Sequence, residues 1–374
     1  MKSFLRDFSG AFGDTGIFIP LALGMIIICG LSPTSVFLPA GLLYLIAGWY
    51  YQIPFPVQPL KAVAAISLVN ALRPELIATT AYLMSVLMLL FLIFGFSKYL
   101  DKIFPKPIVR GIQFGLGILL IRSGMGLILK GEIVTGVLLP EVQFSYLSLG
   151  PNALSFFVPS LNDVATAFVV LLIPQLPLTF GNSMVATADL AKDYFGKRAK
   201  RVTYRNLAGT ISVGNLLAGL VGGMPVCHGC GGLTAHYRFG ARTIRANFII
   251  GTTFIAVALL FAKMSPSFLR GIPLSVFGSS LIVVGVFHAL LARDMREKKD
   301  VALVVVMGLV TMFYRNLTLT LCAGLLLREV LRYRVYYERL SNLKTVIFAQ
   351  GEKQEISIPH GYKDIEKVSR KDRF

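Results

Sequence analysis

Apolar residues run along this chain in blocks of membrane-span length, interrupted twice by backbone that cannot be helical. About 20 predominantly apolar residues cross a bilayer as a helix. That length is met or approached at Phe12 to Gly30, Val36 to Tyr51, Ile77 to Phe96, Ile108 to Leu129, Val164 to Ala186, Leu207 to Val221, Phe248 to Phe261, Leu274 to Leu291, Val301 to Phe313 and Leu317 to Leu327. The interruptions are Ile53-Pro54-Phe55-Pro56-Val57-Gln58-Pro59-Leu60-Lys61 and Gly222-Gly223-Met224-Pro225-Val226-Cys227-His228-Gly229-Cys230-Gly231-Gly232. Each predicts a short extended segment leading into a half-helix. The pattern is that of an all-α polytopic membrane protein of about twelve crossing or half-crossing elements.

Lipid cannot satisfy the N–H and C=O groups that such segments free, so both must lie where protein or water does. A pair of broken helices in corresponding halves of a chain is the best sequence pointer to a transporter's binding site.

Cations give the topology. Lys98, Lys102, Lys106 and Arg110 follow the third full span, and Lys192, Lys197, Arg198, Lys200, Arg201 and Arg205 lie between the fifth and sixth. Arg293, Arg296, Lys298 and Lys299 form a third group, and Arg328, Arg332, Arg334 and Arg339 follow the last span. Gly131 to Asp163 holds no Lys or Arg. The positive-inside rule places the cationic loops and both termini in the cytoplasm and the bare loop outside. The two broken segments then run in opposite directions through the membrane.

Three landmarks recur in order. Ile19-Pro20-Leu21 is echoed by Leu176-Pro177-Leu178, 157 positions on (177 minus 20); Pro56-Val57 by Pro225-Val226, 169 on (225 minus 56); and Arg110-Gly111-Ile112 by Arg270-Gly271-Ile272, 160 on (270 minus 110). Collinear order at similar offset marks an inverted repeat. The expected organisation is a first repeat over 1–130, an external connection with short helices over 131–163, a second repeat over 164–332 and a cytoplasmic tail over 333–374.

Composition agrees. Hydrophobic residues make up 55% of 374 and charged residues 15%, with a mean hydropathy of +0.69. The formal charge of +18 would suggest nucleic-acid binding in a soluble protein, but here the cytoplasmic loops account for it. Cys29, Cys227, Cys230 and Cys322 have no framework spacing, so no disulfide scaffold is expected. No small-residue cleavage site follows Met1 to Asp7, so a cleaved signal peptide is not expected.

Candidate chemistry sits at the breaks. Pro54, Pro56 and Pro59 prevent helix up to about Val57, after which Leu60 to Val69 can wind. The helix N-terminus so formed near mid-membrane carries roughly half a positive charge and favours an anion. Gln58 adds an amide and Lys61 a full charge; the bland alternative is that Lys61 snorkels or pairs with an acid such as Asp14. In the second segment Val226, Cys227 and Gly229 offer close backbone approach and His228 an oxyanion donor or proton carrier. A packed histidine is the bland alternative there. Gln175, Thr179, Asn182 and Ser183 in the fifth span, and Asp14 and Thr15 in the first, supply further polar groups at membrane depth, for binding, coupling or structure. Cys227-x-x-Cys230 lacks the partners of a closed zinc or c-type haem site. No cofactor and no catalytic triad or carboxylate pair is expected; a membrane-embedded metalloenzyme using Cys227, His228 and Cys230 is the reading from another class.

Five blocks carry a family resemblance. They are Gly13-Asp14-Thr15-Gly16 with Ile19-Pro20-Leu21; Pro56-Val57-Gln58-Pro59-Leu60-Lys61 through Ala65; Pro105-Lys106-Pro107-Ile108-Val109-Arg110-Gly111; Pro174-Gln175-Leu176-Pro177-Leu178-Thr179 with Asn182-Ser183; and Met224 to Leu233 with His236 to Arg242. The chain resembles the molybdate transporter family within the wider SulP group of anion transporters. The resemblance implies a fold similar to the uracil permease, a core domain moving against a gate domain in elevator-type alternating access, and an anion held between two facing half-helices. Two departures stand out: there is no room for the regulatory C-terminal domain of many SulP carriers, and Gly131 to Asp163 is short for the two helices expected there. The expected substrate is a tetrahedral oxyanion, molybdate first and sulfate or tungstate next, contacted by Gln58, Lys61, Gln175, Thr179, Val226, Cys227, His228 and Gly229. Proton or cation coupling and a homodimer in the cell membrane are compatible with it. A nucleobase permease of similar fold is the alternative.

Overall fold

The computed structural model describes residues 2–95, 104–131, 157–263 and 273–349. Short helices predicted at 133–139 lie outside them, as do most of those predicted at 153–158 and the last 25 residues of the predicted tail, 350–374.

The chain forms α1 (Lys2–Ala11), α2 (Thr15–Ile27), α3 (Pro33–Tyr51), β1 (Gln58–Pro59), α4 (Lys61–Asn70), α5 (Pro74–Phe94) and α6 (Lys106–Gly131) in its first half. The second half has α7 (Leu161–Arg201), then α8 (Tyr204–Leu220), β2 (Val226–Cys227), α9 (Cys230–Arg238), α10 (Arg245–Lys263), α11 (Leu274–Leu290), α12 (Lys298–Tyr314) and α13 (Leu317–Ala349). Six helical runs among the described residues are long and apolar enough to cross a membrane. Pro33 and Pro74 open α3 and α5 at the first turn, where a missing N–H costs nothing.

Both extended segments begin at a left-handed residue. Gln52 ends α3 at φ 58° and Gly222 follows α8 at φ 63°. The segments then meet as an antiparallel two-residue ladder, Gln58 opposite Cys227 and Pro59 opposite Val226. The first pair is 169 positions apart (227 minus 58), the same offset as Pro56 to Pro225. Because the strands are antiparallel, α4 and α9 leave the ladder in opposite directions with their N-termini adjacent to it.

Packing crosses between the halves. The full span before the first break, α3, packs on α10, the span after the second; α5, after the first break, packs on α8, before the second. The third partnership, α6 with α11, is a backbone seam. A Cβ built on Gly117 would lie 2.6 Å from the Gly285 carbonyl oxygen and one on Gly124 2.3 Å from that of Gly278, with the reverse distances at 2.8 and 2.4 Å. In lipid, where apolar side chains gain nothing by leaving their neighbours, such small-residue contact is what lets helices associate closely. Gly41 and Gly251 repeat the device between α3 and α10.

Two elements differ from the sequence reading. Helix α1 precedes the predicted first span; its Phe4, Leu5 and Phe8 remain exposed, while buried Asp7 accepts from the backbone N–H groups of Arg242 and Thr243 at 2.7 and 3.0 Å and from the Thr243 hydroxyl at 2.6 Å. The fifth span is helical well past Ala186, but it widens into π turns at Phe168–Leu172 and Leu178–Ala186 on either side of Pro174 and Pro177. Proline cannot donate to the usual i−4 carbonyl and its ring clashes with it; a wider turn relieves both. The helical tail continues α13 to Ala349.

Candidate functional site

Each extended segment is held by one asparagine that grips both backbone groups of a single residue. Asn247 on α10 accepts from Phe55 N at 2.7 Å and donates to Phe55 O at 2.8 Å and Tyr44 O at 3.0 Å. Asn215 on α8 accepts from Val226 N at 3.0 Å and donates to Val226 O at 2.6 Å. The Tyr44 hydroxyl donates to Val57 O at 3.1 Å, and Leu60 N extends the ladder to Pro225 O at 3.0 Å. Backbone that lipid would leave unpaired is thus paired inside the protein. None of Asn215, Asn247 or Tyr44 was singled out from sequence, although a lone amide in an apolar helix is the signal that could have found the two asparagines.

His228 belongs to the same scaffold, which corrects its expected role as an anion donor. It is fully buried, and its Nδ1 lies 2.8 Å from Pro56 O and its Nε2 2.8 Å from the Thr210 hydroxyl. A carbonyl only accepts, so Nδ1 carries the proton and Nε2 accepts from Thr210. Thr210 in turn accepts from the Tyr51 hydroxyl at 2.8 Å. Both ring nitrogens are engaged. Val226 is likewise excluded as a backbone ligand, since Asn215 takes both its N–H and its C=O, and Thr15 caps locally, donating to Phe12 O at 2.7 Å.

The remaining candidates converge at the start of the two half-helices. Gln175 Oε1 accepts from Ala62 N at 2.9 Å in the first turn of α4, and its Nε2 donates to the Thr179 hydroxyl at 3.1 Å. At the start of α9, Gly229 is the extended residue before the helix, and the Cys230 thiol donates to Asn182 Oδ1 at 3.0 Å. The Cys227 thiol points to Pro59 O at 3.7 Å. The Ser183 hydroxyl lies beside Cys227 but has no partner in hydrogen-bond geometry.

Two buried groups are left in an unusual state. Lys61 is 7% exposed, and among the described residues its ammonium has no carboxylate within 4.0 Å and no hydrogen-bond partner. Asp14, Cys227 and Cys230 are within its electrostatic reach. Asp14 itself accepts from Gln58 Nε2 at 2.6 Å, while Asp14 Oδ2 and Gln58 Oε1 have no donor. Two glycines of the second segment close over these orphan oxygens: a Cβ on Gly229 would lie 2.1 Å from Gln58 Oε1, and one on Gly232 2.3 Å from Asp14 Oδ2. Only glycine permits that approach.

Cys227, His228 and Cys230 therefore bond to different protein partners, Pro59, Pro56 with Thr210, and Asn182, and among the described residues no group of three His, Cys, Asp or Glu is placed to hold a metal ion.

A family model described as "Molybdate transporter of MFS superfamily" matches residues 6–120 and 167–287. The chain belongs to the molybdate transporter family. Curated relatives include Molybdate transporter 2 of Arabidopsis thaliana, 26% identical over 88% of this chain and 87% of that protein, and Molybdate transporter 1 of Chlamydomonas reinhardtii, 24% identical over 78% and 85%. Among solved structures the chain is similar to the transmembrane domain of a cyanobacterium bicarbonate transporter, BicA, with a TM-score of 0.60 at 15% identity over 87% of this chain and 98% of that one. Murine Slc26a9, an anion transporter in the inward-facing state, matches with a TM-score of 0.59 at 16% identity over 88% and 68%. The fold expected from the broken helices, an inverted-repeat membrane transporter of the SulP kind, is the fold found, and the protein is a transporter and not an enzyme.

Proposed function

We propose that this protein is a secondary transporter of a tetrahedral oxyanion, molybdate first and sulfate or tungstate next, held between the N-termini of α4 and α9. The observation that carries the reading is Lys61: a cation buried beside a helix N-terminus with no carboxylate of the described residues within 4.0 Å. An ionised group in the membrane interior is costly unless paired, and a divalent anion at this point would pair it while meeting the positive ends of two helices. Gln175, Thr179, Ser183 and Cys227 border the same space. The names of the family and of its relatives support molybdate as the guest.

Asp14 and Gln58 supply coupling. With Asp14 ionised, Gln58 donates to Oδ1 and a negative charge stands near Lys61; with Asp14 protonated at Oδ2, the carboxyl O–H would also donate to Gln58 Oε1, and the charge that repels an anion is gone. A proton and an oxyanion would then bind together. Residues 1–130 and 164–332 act as the two repeats, α6 with α11 forms the layer against which the half-helices shift in alternating access, and the cation-rich loops and both termini face the cytoplasm of a cell-membrane protein.

Uptake of molybdate into proteoliposomes tests this. Lys61→Ala should lower it roughly 30-fold or more, the loss of a buried charge-assisted contact, with Lys61→Arg recovering part. Wild-type protein that takes up uracil and not molybdate would overturn the assignment.

A further inference from the structure

A cavity of about 260 Å³ opens beside the start of α9 and is distinct from the Lys61 site. Its wall includes Lys106 and Arg110 of α6, Asn182 and Asp189 of α7, and Cys230. Both cations bond to one carboxylate, Asp294, which follows α11. Arg110 donates to it twice, from Nε at 3.0 Å and Nη2 at 2.6 Å, and Lys106 Nζ lies 3.0 Å from Oδ2. Arg110 Nη1 donates to Gln113 at 2.7 Å. Two cations thus share one acid, and Asp294 does not line the cavity. Asp189, the acid that does, has Lys192 4.0 Å away. The wall itself holds two cations and one carboxylate next to the Asn182 amide, and Asp294 behind the cations brings the group to balance.

We propose that this cavity is a second oxyanion station, through which the substrate passes between the Lys61 site and the cation-rich side of the membrane. Lys106 and Arg110 hold the anion there, and Asp294 is an internal competitor that keeps it from being held tightly. Two features carry the assignment. Cys230, the first residue of α9, and Asn182 are bonded to each other and both line the cavity, so it adjoins the start of the half-helix. Arg110 lies on α6 and Asp294 in the turn after α11, so the competing acid comes from the helix that packs on α6. A transit site needs weak holding: binding must be favourable enough to fill it and weak enough to empty it. Sharing the guanidinium with Asp294 supplies that balance.

The inference rests on the anion-transport reading, and its test separates the two. Cys230 reports the cavity: it is partly accessible, whereas Cys29 and Cys227 are buried, and the exposed Cys322 is removed by Cys322→Ser. In full-length protein carrying that change, sodium molybdate should slow maleimide labelling of Cys230. Lys61→Ala should leave the protection in place. Arg110→Gln and Lys106→Gln, made singly and together, should remove it, with Arg110→Lys retaining part. Asp294→Asn should lower the half-protecting concentration about three- to fivefold, the scale of one partly exposed charge pair. Protection abolished by Lys61→Ala but untouched by Arg110→Gln would overturn the proposal, because Cys230 would then be sensing the inner site alone. Absence of protection in the parent protein would overturn it too. Neither result bears on transport itself, which wild-type uptake decides.

Discussion

Gln58, in the first extended segment, and Asp14, just before α2, meet over 2.6 Å, amide to carboxylate, with Asp14 Oδ2 and Gln58 Oε1 buried and without a donor. A proton on Asp14 Oδ2 would give both orphan oxygens a partner, Oδ2–H donating to Gln58 Oε1 while Oδ1 still accepts from Nε2. The sign follows from charge. Protonation removes a negative charge beside the Lys61 site, so molybdate binding should tighten as pH falls. Asp14→Asn keeps a donor permanently and should bind molybdate with little pH dependence while losing accumulation against a gradient. Binding by calorimetry and counterflow in proteoliposomes measure the two, and pH-dependent binding that persists in Asp14→Asn would rule the pair out as the coupling site.

Glycine positions around this pair differ sharply in what they tolerate. Gly229→Ala places a methyl group 2.1 Å from Gln58 Oε1, so Gln58 must move, whereas a Cβ on Gly231 meets nothing within 4 Å. Molybdate affinity should fall more than tenfold in Gly229→Ala, the loss of one well-placed polar contact, and stay near wild type in Gly231→Ala. Equal effects would mean that the close approach of the second segment to Gln58 has no role.

His228→Ala separates scaffold from ligand. Removing the ring leaves Pro56 O and the Thr210 hydroxyl short of partners and opens a cavity, a cost of about 2–4 kcal/mol. Thermal stability in detergent should drop while the affinity of the folded fraction changes only a few-fold. Asn247→Leu and Asn215→Leu should behave alike, because each removes two bonds from one extended residue. A large affinity loss in His228→Ala at unchanged stability would restore the histidine to the binding shell.

The α6–α11 seam predicts a position-specific response to size. Gly124→Leu drives a side chain into the Gly278 backbone and should destabilise by about 1–3 kcal/mol or more, read as a lowered midpoint in detergent. Gly126→Leu, where a Cβ meets nothing within 4 Å, is the matched control and should be neutral. If both are neutral, the helices are not held at backbone distance.

The membrane-spanning character and the two broken helices follow from the sequence by itself, because they depend on local quantities: stretches apolar enough to cross lipid and prolines without an N–H. The offset of 169 between Pro56 and Pro225 even matches the register of the Gln58–Cys227 pair. Lys61, Gln175 and Gln58 stood out for the same local reason, as polar groups where the solvent is apolar. Tertiary structure decided which of these groups have partners. His228 and Lys61 read alike as intramembrane cations or donors, yet Thr210 and Pro56 engage both nitrogens of one, from 18 and 172 positions away, and no described group neutralises the other. Asn215, Asn247 and the glycine seam were illegible because their value lies in distances to residues far off in sequence. A hydrogen bond or a backbone contact is satisfied at a few ångströms, and only the folded chain sets those few ångströms.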